Sequence, residues 1–213
     1  MLCDFSDYCD FYYNKLKNNG VIVKKYNKSS LYFNCLRITV PKTGGVKFIL
    51  ELLNKKDLLI FSLDNVIIDI AKIDNERLLI TKENLETLSQ SYDLVIYSSK
   101  NKNNTDYILE EFEIDNIFNF MVTSDDFMEQ YLKPDVEGVL KILKHCPHNS
   151  VKYIGGSAED IIAGNKANIE TIGIIGPKND EADTRNNFKH LCAGYIINNT
   201  DELMKFLEKN EQI

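Results

Sequence analysis

Residues 57–66 read Asp57-Leu-Leu-Ile-Phe-Ser-Leu-Asp-Asn-Val66. A short apolar run ends in Ser62, Leu63, Asp64 and Asn65, then turns apolar again. Bounded apolar runs of this length form buried strands. Side chains alternate along a strand, so Ser62 and Asp64 project to the same side of its end. A polar pair at the carboxyl end of a buried strand is where open α/β sheets place ligands. The stretch therefore predicts a first, central strand over 58–63 with a candidate site at its mouth.

The pattern downstream alternates strand and helix. Strands are expected at 58–63, 93–98, 119–123, 151–155, 170–175 and 193–197. Helices are expected near 82–90, 104–112, 135–145, 158–168 and 200–209. Such alternation implies right-handed βαβ crossovers and a Rossmann-like, mostly parallel sheet flanked by helices. Upstream, the charged link Asn54 to Asp57 closes a different pattern. A helix over 6–18, capped by Ser6 or Asp7, ends at Asn19-Gly20. Strands at 20–26 and 31–40 and a helix at 43–54 follow. The division is thus a small α/β segment, 1–56, and an α/β domain, 57–213.

Composition sets bounds on both. The 213 residues include 44% hydrophobic and 27% charged side chains, a normal globular balance. The net charge of −7 argues against a nucleic-acid or anionic-membrane surface. Cys3, Cys9, Cys35, Cys146 and Cys192 have no CxxC spacing and read as free thiols of a reducing, cytoplasmic setting. No apolar run approaches the ~20 residues that span a bilayer. The start, MLCDFSDYCD, is too polar for a secretory signal. His145-Cys-Pro-His148 has too few ligands for a structural zinc site.

Four motifs in order resemble the haloacid dehalogenase superfamily of phosphatases and relatives. Phe61-Ser-Leu-Asp-Asn-Val is similar to its first motif, apolar-Asp-x-Asp-Gly-Val/Thr. Asp64 matches the second aspartate, and Ser62 stands at the nucleophile. Val95-Ile-Tyr-Ser-Ser-Lys resembles the strand ending in Thr/Ser, with Ser98 at the hydroxyl. Leu132-Lys-Pro-Asp135 resembles Gly-Lys-Pro and supplies Lys133. Tyr153-Ile-Gly-Gly-Ser-Ala-Glu-Asp-Ile-Ile-Ala-Gly164 resembles Gly-Asp-Ser-x-x-Asp-Ile-x-Ala-Gly. There Asp160 matches the second aspartate and Gly156 replaces the first.

The resemblance implies a chemistry this chain has partly lost. In the family an aspartate attacks phosphorus and forms an acyl phosphate. The second aspartate shuttles the proton. The hydroxyl and the lysine hold the phosphoryl group, and Mg²⁺ needs oxygen ligands from carboxylates. With Ser62 and Gly156 both carboxylates that bind the ion most directly are absent. A serine hydroxyl needs a strong base, and its phosphate ester lacks the lability of an acyl phosphate. Asp125, Asp126 or Glu159 could supply substitute ligands. The bland readings stay open: Ser98 capping its loop, Lys133 solvated, Asp160 in a helix first turn. Between Asp64 and Ser98 there is room for one crossover helix and a polar turn at Lys72 to Arg77, so little or no cap is expected.

The first fifty residues resemble the end of a fold-type I aminotransferase, histidinol-phosphate aminotransferase in particular. Tyr13-Asn-Lys-Leu-Lys-Asn-Asn-Gly-Val-Ile-Val-Lys and Asn34-Cys-Leu-Arg-Ile-Thr-Val carry the likeness. Arg37 falls on the arginine that grips the substrate's acidic group. Pro41-Lys-Thr-Gly-Gly departs from the family, and these 213 residues carry no stretch that resembles its large domain with the cofactor lysine.

These readings lead to a catalytically impaired haloacid dehalogenase-like domain acting as a binding, structural or regulatory module. The rival is a divergent Mg²⁺-dependent phosphatase. No cofactor is expected, save Mg²⁺ if hydrolysis survives. The expected partners are a phosphorylated ligand, a protein or a second copy, with no nucleic acid and no membrane. Weak phosphate or sulfate binding is expected near Ser62, Ser98 and Lys133, helped by amides near Gly156. The pair Ser62→Asp and Gly156→Asp is expected to raise Mg²⁺ affinity.

Overall fold

The computed structural model describes residues 2–39, 45–69, 77–128, 131–176 and 181–210. Most of Pro41 to Gly45 and of Lys72 to Arg77 lies outside these residues.

Strand β4, Asp57–Ser62, is buried from Leu58 onward. Its apolar run needs cover on both faces, which a parallel sheet with helices provides. The sheet contains β4, β5 (Tyr92–Tyr97), β6 (Phe120–Val122), β7 (Val151–Gly155), β8 (Glu170–Ile174) and β9 (Tyr195–Ile197). Its order is β6-β5-β4-β7-β8-β9, and every pairing is parallel. β4 lies in the interior, where the order reverses, as its composition required.

One face carries Leu59, Phe61, Leu94 and Ile96 against α3 (Lys82–Ser91), α4 (Lys102–Glu111) and α8 (Thr200–Asn210). The opposite face carries Leu58, Ile60, Val95, Tyr97 and Tyr153. There α5 (Glu137–His145) supplies Val139 and Ile142. Ala163 of α6 (Ala158–Lys166) adds to it, and much of the remaining cover comes from the N-terminal segment. Helix α1 (Cys9–Asn18) contributes Phe11, Tyr12 and Leu16, and α2 (Gly45–Leu53) contributes Ile49. The two parts of the chain thus share one core.

Polar tethers fix the docking. Lys15 of α1 pairs with Asp93 of β5 at 2.8 Å, both side chains buried. Asn14 Nδ2 of α1 donates to the Asn119 carbonyl at 3.2 Å. Burial, partly offset by Lys15, pushes the Asp93 carboxyl above its ordinary range.

The N-terminal segment differs in detail from its pattern. Ser6 and Asp7 do not cap a helix; a 3₁₀ turn covers Ser6–Tyr8, and α1 begins at Cys9 without a side-chain cap. Gly20, at φ 74, ends it as expected. The strand of 31–40 contracts to β3, Cys35–Ile38, because turns occupy the residues before it. β3 sits between β2 (Val23–Lys25) and a further strand, β1 (Leu2–Asp4), both antiparallel. Helix α7, Glu181–His190, was also not anticipated. Helix α6, Ala158–Lys166, matches the expectation.

After β4 the chain forms isolated bridges between Asp64 and Ile68 and between Ile68 and Leu78. Among the described residues between Asp64 and Ser98, α3 is the one helix. No described helix is long and apolar enough to cross a membrane.

Candidate functional site

The expected site residues meet at the carboxyl ends of β4, β5 and β7. Ser62 ends β4 in register with Tyr97, the last residue of β5. Lys133 enters from the loop before α5, through a cis bond to Pro134. Its Nζ donates to Ser62 Oγ at 3.2 Å, to the Tyr97 carbonyl at 2.9 Å and to Asp160 Oδ1 at 2.7 Å. The Lys133 and Asp160 side chains are 6% and 2% exposed. The ammonium also lies 4.3 Å from the centroid of the Tyr97 ring, a cation–π contact. The Lys133 side chain is therefore buried, not that of a solvated surface lysine.

Asp160 collects the donors around it. Tyr153 Oη donates to Oδ1 at 2.7 Å. Oδ2 accepts from Gly156 N at 3.0 Å, Ser157 N at 3.1 Å and Ser157 Oγ at 3.0 Å. Ser157 in turn accepts from Asp160 N, which completes a capping box on α6. Burial acts to raise the Asp160 carboxyl. Lys133 and the hydrogen bonds from Lys133, Tyr153 and Ser157 outweigh it and hold the carboxyl below its usual range. The amides an anion would need at this helix start thus already serve Asp160.

Asp64 and Ser98 form a second network. Lys100 Nζ lies 2.9 Å from Asp64 Oδ1 and 3.1 Å from Oδ2. Ser98 Oγ accepts from Lys100 N at 3.1 Å and from Thr105 Oγ1 at 3.1 Å. The hydroxyl caps the loop after its strand, which supports the bland reading of that residue. Each carboxylate of the site is matched by one ammonium: Asp160 by Lys133, Asp64 by Lys100.

Asn65 stands where the motif pattern has glycine and adopts φ 60, a left-handed conformation that asparagine tolerates. It closes over Gly156. A Cβ on Gly156 would lie 2.8 Å from Asn65 Cβ and 3.0 Å from its carbonyl oxygen. The space for the missing fourth-motif side chain is filled.

The donor set does not fit Mg²⁺. Octahedral oxygen ligation needs free carboxylates, and here the buried one accepts five hydrogen bonds. Asp126 is held by Thr123 N and Lys141, Asp125 accepts from Lys102 N, and Glu159 is exposed. Among the described residues no three His, Cys, Asp or Glu side chains gather as a metal group. His145 donates to the Asp7 carbonyl and stacks on Phe120, and His148 bonds the Cys146 carbonyl.

Tyr97 was not anticipated as part of the site. Its hydroxyl is buried with no hydrogen-bond partner among the described residues, packed against Gly138. Burial, then the charges of Asp160 and Asp135, push its pKa up. Lys100 and Tyr153 also escaped notice, although both lie inside motif stretches.

A family model described as haloacid dehalogenase-like hydrolase matches residues 79–174. The match includes Ser98, Lys133, Gly156 and Asp160; Ser62 and Asp64 precede it. Among solved structures, a protein described as a β-phosphoglucomutase from Thermotoga maritima aligns with TM-score 0.59 at 17% identity, over 72% of this chain and 99% of that one. The core has the haloacid dehalogenase-like fold. One described as a phosphatase from Clostridium difficile aligns with TM-score 0.58 at 18% identity, over 72% and 99%. A haloacid dehalogenase-like family hydrolase from Streptococcus pneumoniae aligns with TM-score 0.55 at 15% identity, over 71% and 98%. No curated protein matches the sequence. The likeness is one of fold, and a fold does not carry a function with it.

Proposed function

We propose that this chain is a haloacid dehalogenase-fold protein whose catalytic centre has become a structural ion-pair network. It works as a binding, structural or regulatory module and does not turn over phosphate esters. One observation carries the reading: Lys133 donates to both Ser62 Oγ and Asp160 Oδ1. The nucleophile position thus holds a hydroxyl that accepts from an ammonium, not one activated by a base. The lysine expected to hold a phosphoryl group is engaged inside the protein. Pairing of both ammoniums with carboxylates favours a protein partner over a phosphorylated ligand. The first 54 residues are read as a retained aminotransferase-like scaffold that now covers the sheet, supported by the helix, strands and helix of that segment.

The test is hydrolysis of p-nitrophenyl phosphate with and without Mg²⁺. The expected result is no rate above the protein-free control. Mg²⁺-dependent turnover abolished by Asp64→Asn would overturn the proposal in favour of a divergent phosphatase.

A further inference from the structure

Charge is segregated along this chain. Residues 1–56 contain ten Lys and Arg against four Asp and Glu, while residues 57–213 contain fifteen against twenty-eight. The net charge of −7 conceals a basic segment docked on an acidic core.

The basic charge has an address. Lys24 and Arg37 are register neighbours across β2 and β3, so they share the outer face of the three-stranded sheet. Both are exposed. Lys24 Nζ lies 5.5 Å from the Tyr26 ring centroid, and Tyr26 and Tyr32 have centroids 5.5 Å apart. Leu2, opposite Arg37 on β1, and Tyr32 are large exposed side chains at 47% and 50%. Two of the segment's four acids are already paired, Asp10 with Lys25 and Glu51 with Lys47. Asp4 holds the Ser6 amide. Lys24, Lys28 and Arg37 have no acidic partner among the described residues. Arginine and exposed aromatic and apolar side chains together are enriched at protein–protein contacts.

The counter-charge is on the same chain. Helix α4 exposes Tyr107, 66% accessible, with Glu110 and Glu111 one turn on. Spacings of three and four put these side chains on one helix face. Both glutamates are exposed and without ion pairs among the described residues. This acidic, aromatic face complements the basic, aromatic one.

We propose that the outer face of the β1-β3-β2 sheet docks on the Tyr107, Glu110 and Glu111 face of a second copy of this chain. The two faces are different surfaces, so the contact is heterologous, and each copy keeps one face free for the next. The proposal stands apart from the catalytic reading, since no residue of it touches the Ser62 site.

The test is sedimentation velocity of the full chain and two neutralised variants. K24Q/K28Q/R37Q removes the basic face, and E110Q/E111Q removes the acidic one. All five side chains are exposed, so the fold is not at stake. The full chain should form dimers and larger species at about 0.1 M salt. Its dissociation constant should rise about tenfold or more at about 1 M, where the screening length falls from about 10 Å to about 3 Å. Each variant alone should be monomeric. Mixed, they should form a discrete 1:1 dimer, because each supplies the face the other lacks. A full chain that stays monomeric at the lower salt overturns the proposal, as do variants that still self-associate or a mixture that does not pair. Poly(U) RNA bound by a monomeric full chain and lost in K24Q/K28Q/R37Q would reassign the face to nucleic acid and also overturn it.

Discussion

Lys133 Nζ sits 2.7 Å from Asp160 Oδ1 with both side chains buried. Two groups that the family pattern assigns to phosphate and metal bind each other. Removing one partner leaves a buried, uncompensated charge, at a cost of roughly 3–5 kcal/mol. Lys133→Met and Asp160→Asn should each lose about that much in urea unfolding. The double variant should lose clearly less than the sum. Additivity would show that the pair does not act as a unit.

The same pair sets an acid limit. The folded Asp160 carboxyl is held below its unfolded value of about 3.9. A depressed carboxyl contributes stability that is present above the unfolded pKa and lost as pH falls through the folded one. The contribution should therefore begin to fall below about pH 4 and be lost as pH drops through the lower folded value. Urea midpoints of the natural chain should fall more steeply from pH 4 downward than those of Asp160→Asn. Parallel curves would refute the assignment.

Two tyrosines beside the pair should behave oppositely. Tyr153 donates to a buried carboxylate, a bond worth about 1.5–3 kcal/mol. Tyr97 has a buried hydroxyl with no hydrogen-bond partner among the described residues. Tyr153→Phe should destabilise by about that amount, while Tyr97→Phe should be neutral or stabilising. Thermal unfolding of the two variants compares them directly.

Restoring the missing acids is harder than the motifs suggest. Gly156→Asp drives a Cβ against Asn65, and overpacking of this kind costs about 1–3 kcal/mol. Ser62→Asp with Gly156→Asp should thus gain little Mg²⁺ affinity by calorimetry. Adding Asn65→Gly removes the nearer obstacle and suits the positive φ. The triple variant should bind Mg²⁺ more tightly than the double. Equal affinities would mean that Asn65 is not the block.

Truncation at Asp57 should be severe. It uncovers Leu58, Ile60 and Val95 on one face of the sheet and leaves Asp93 without Lys15. The shortened chain should aggregate or bind a hydrophobic dye. A soluble, cooperatively unfolding product of equal stability would contradict the shared core.

The parallel sheet was legible because its strands are short apolar runs between turn residues. All six lie close to where their composition put them. Helix α7 was not, because only Phe188 of its ten residues is buried, so its sequence carries almost no apolar period. β1 has three residues, too few for alternation to register. At the site, the four motifs named Ser62, Asp64, Ser98, Lys133 and Asp160, which lie near the carboxyl ends of the central strands. Their pairing was not readable, since Lys133 meets Asp160 across 27 residues and Lys100 meets Asp64 across 36. The closing of Asn65 over Gly156 depends on backbone approach, which no residue pattern expresses.

The shared core also has a timetable. Leu16 of α1 packs in the same cluster as Ile142 of α5. At about 5–20 residues per second, a ribosome needs roughly 6–25 s to travel from the first to the second. Through that interval the apolar side of the N-terminal segment has been made and its cover is incomplete. This interval is the window in which a chaperone would engage the nascent chain.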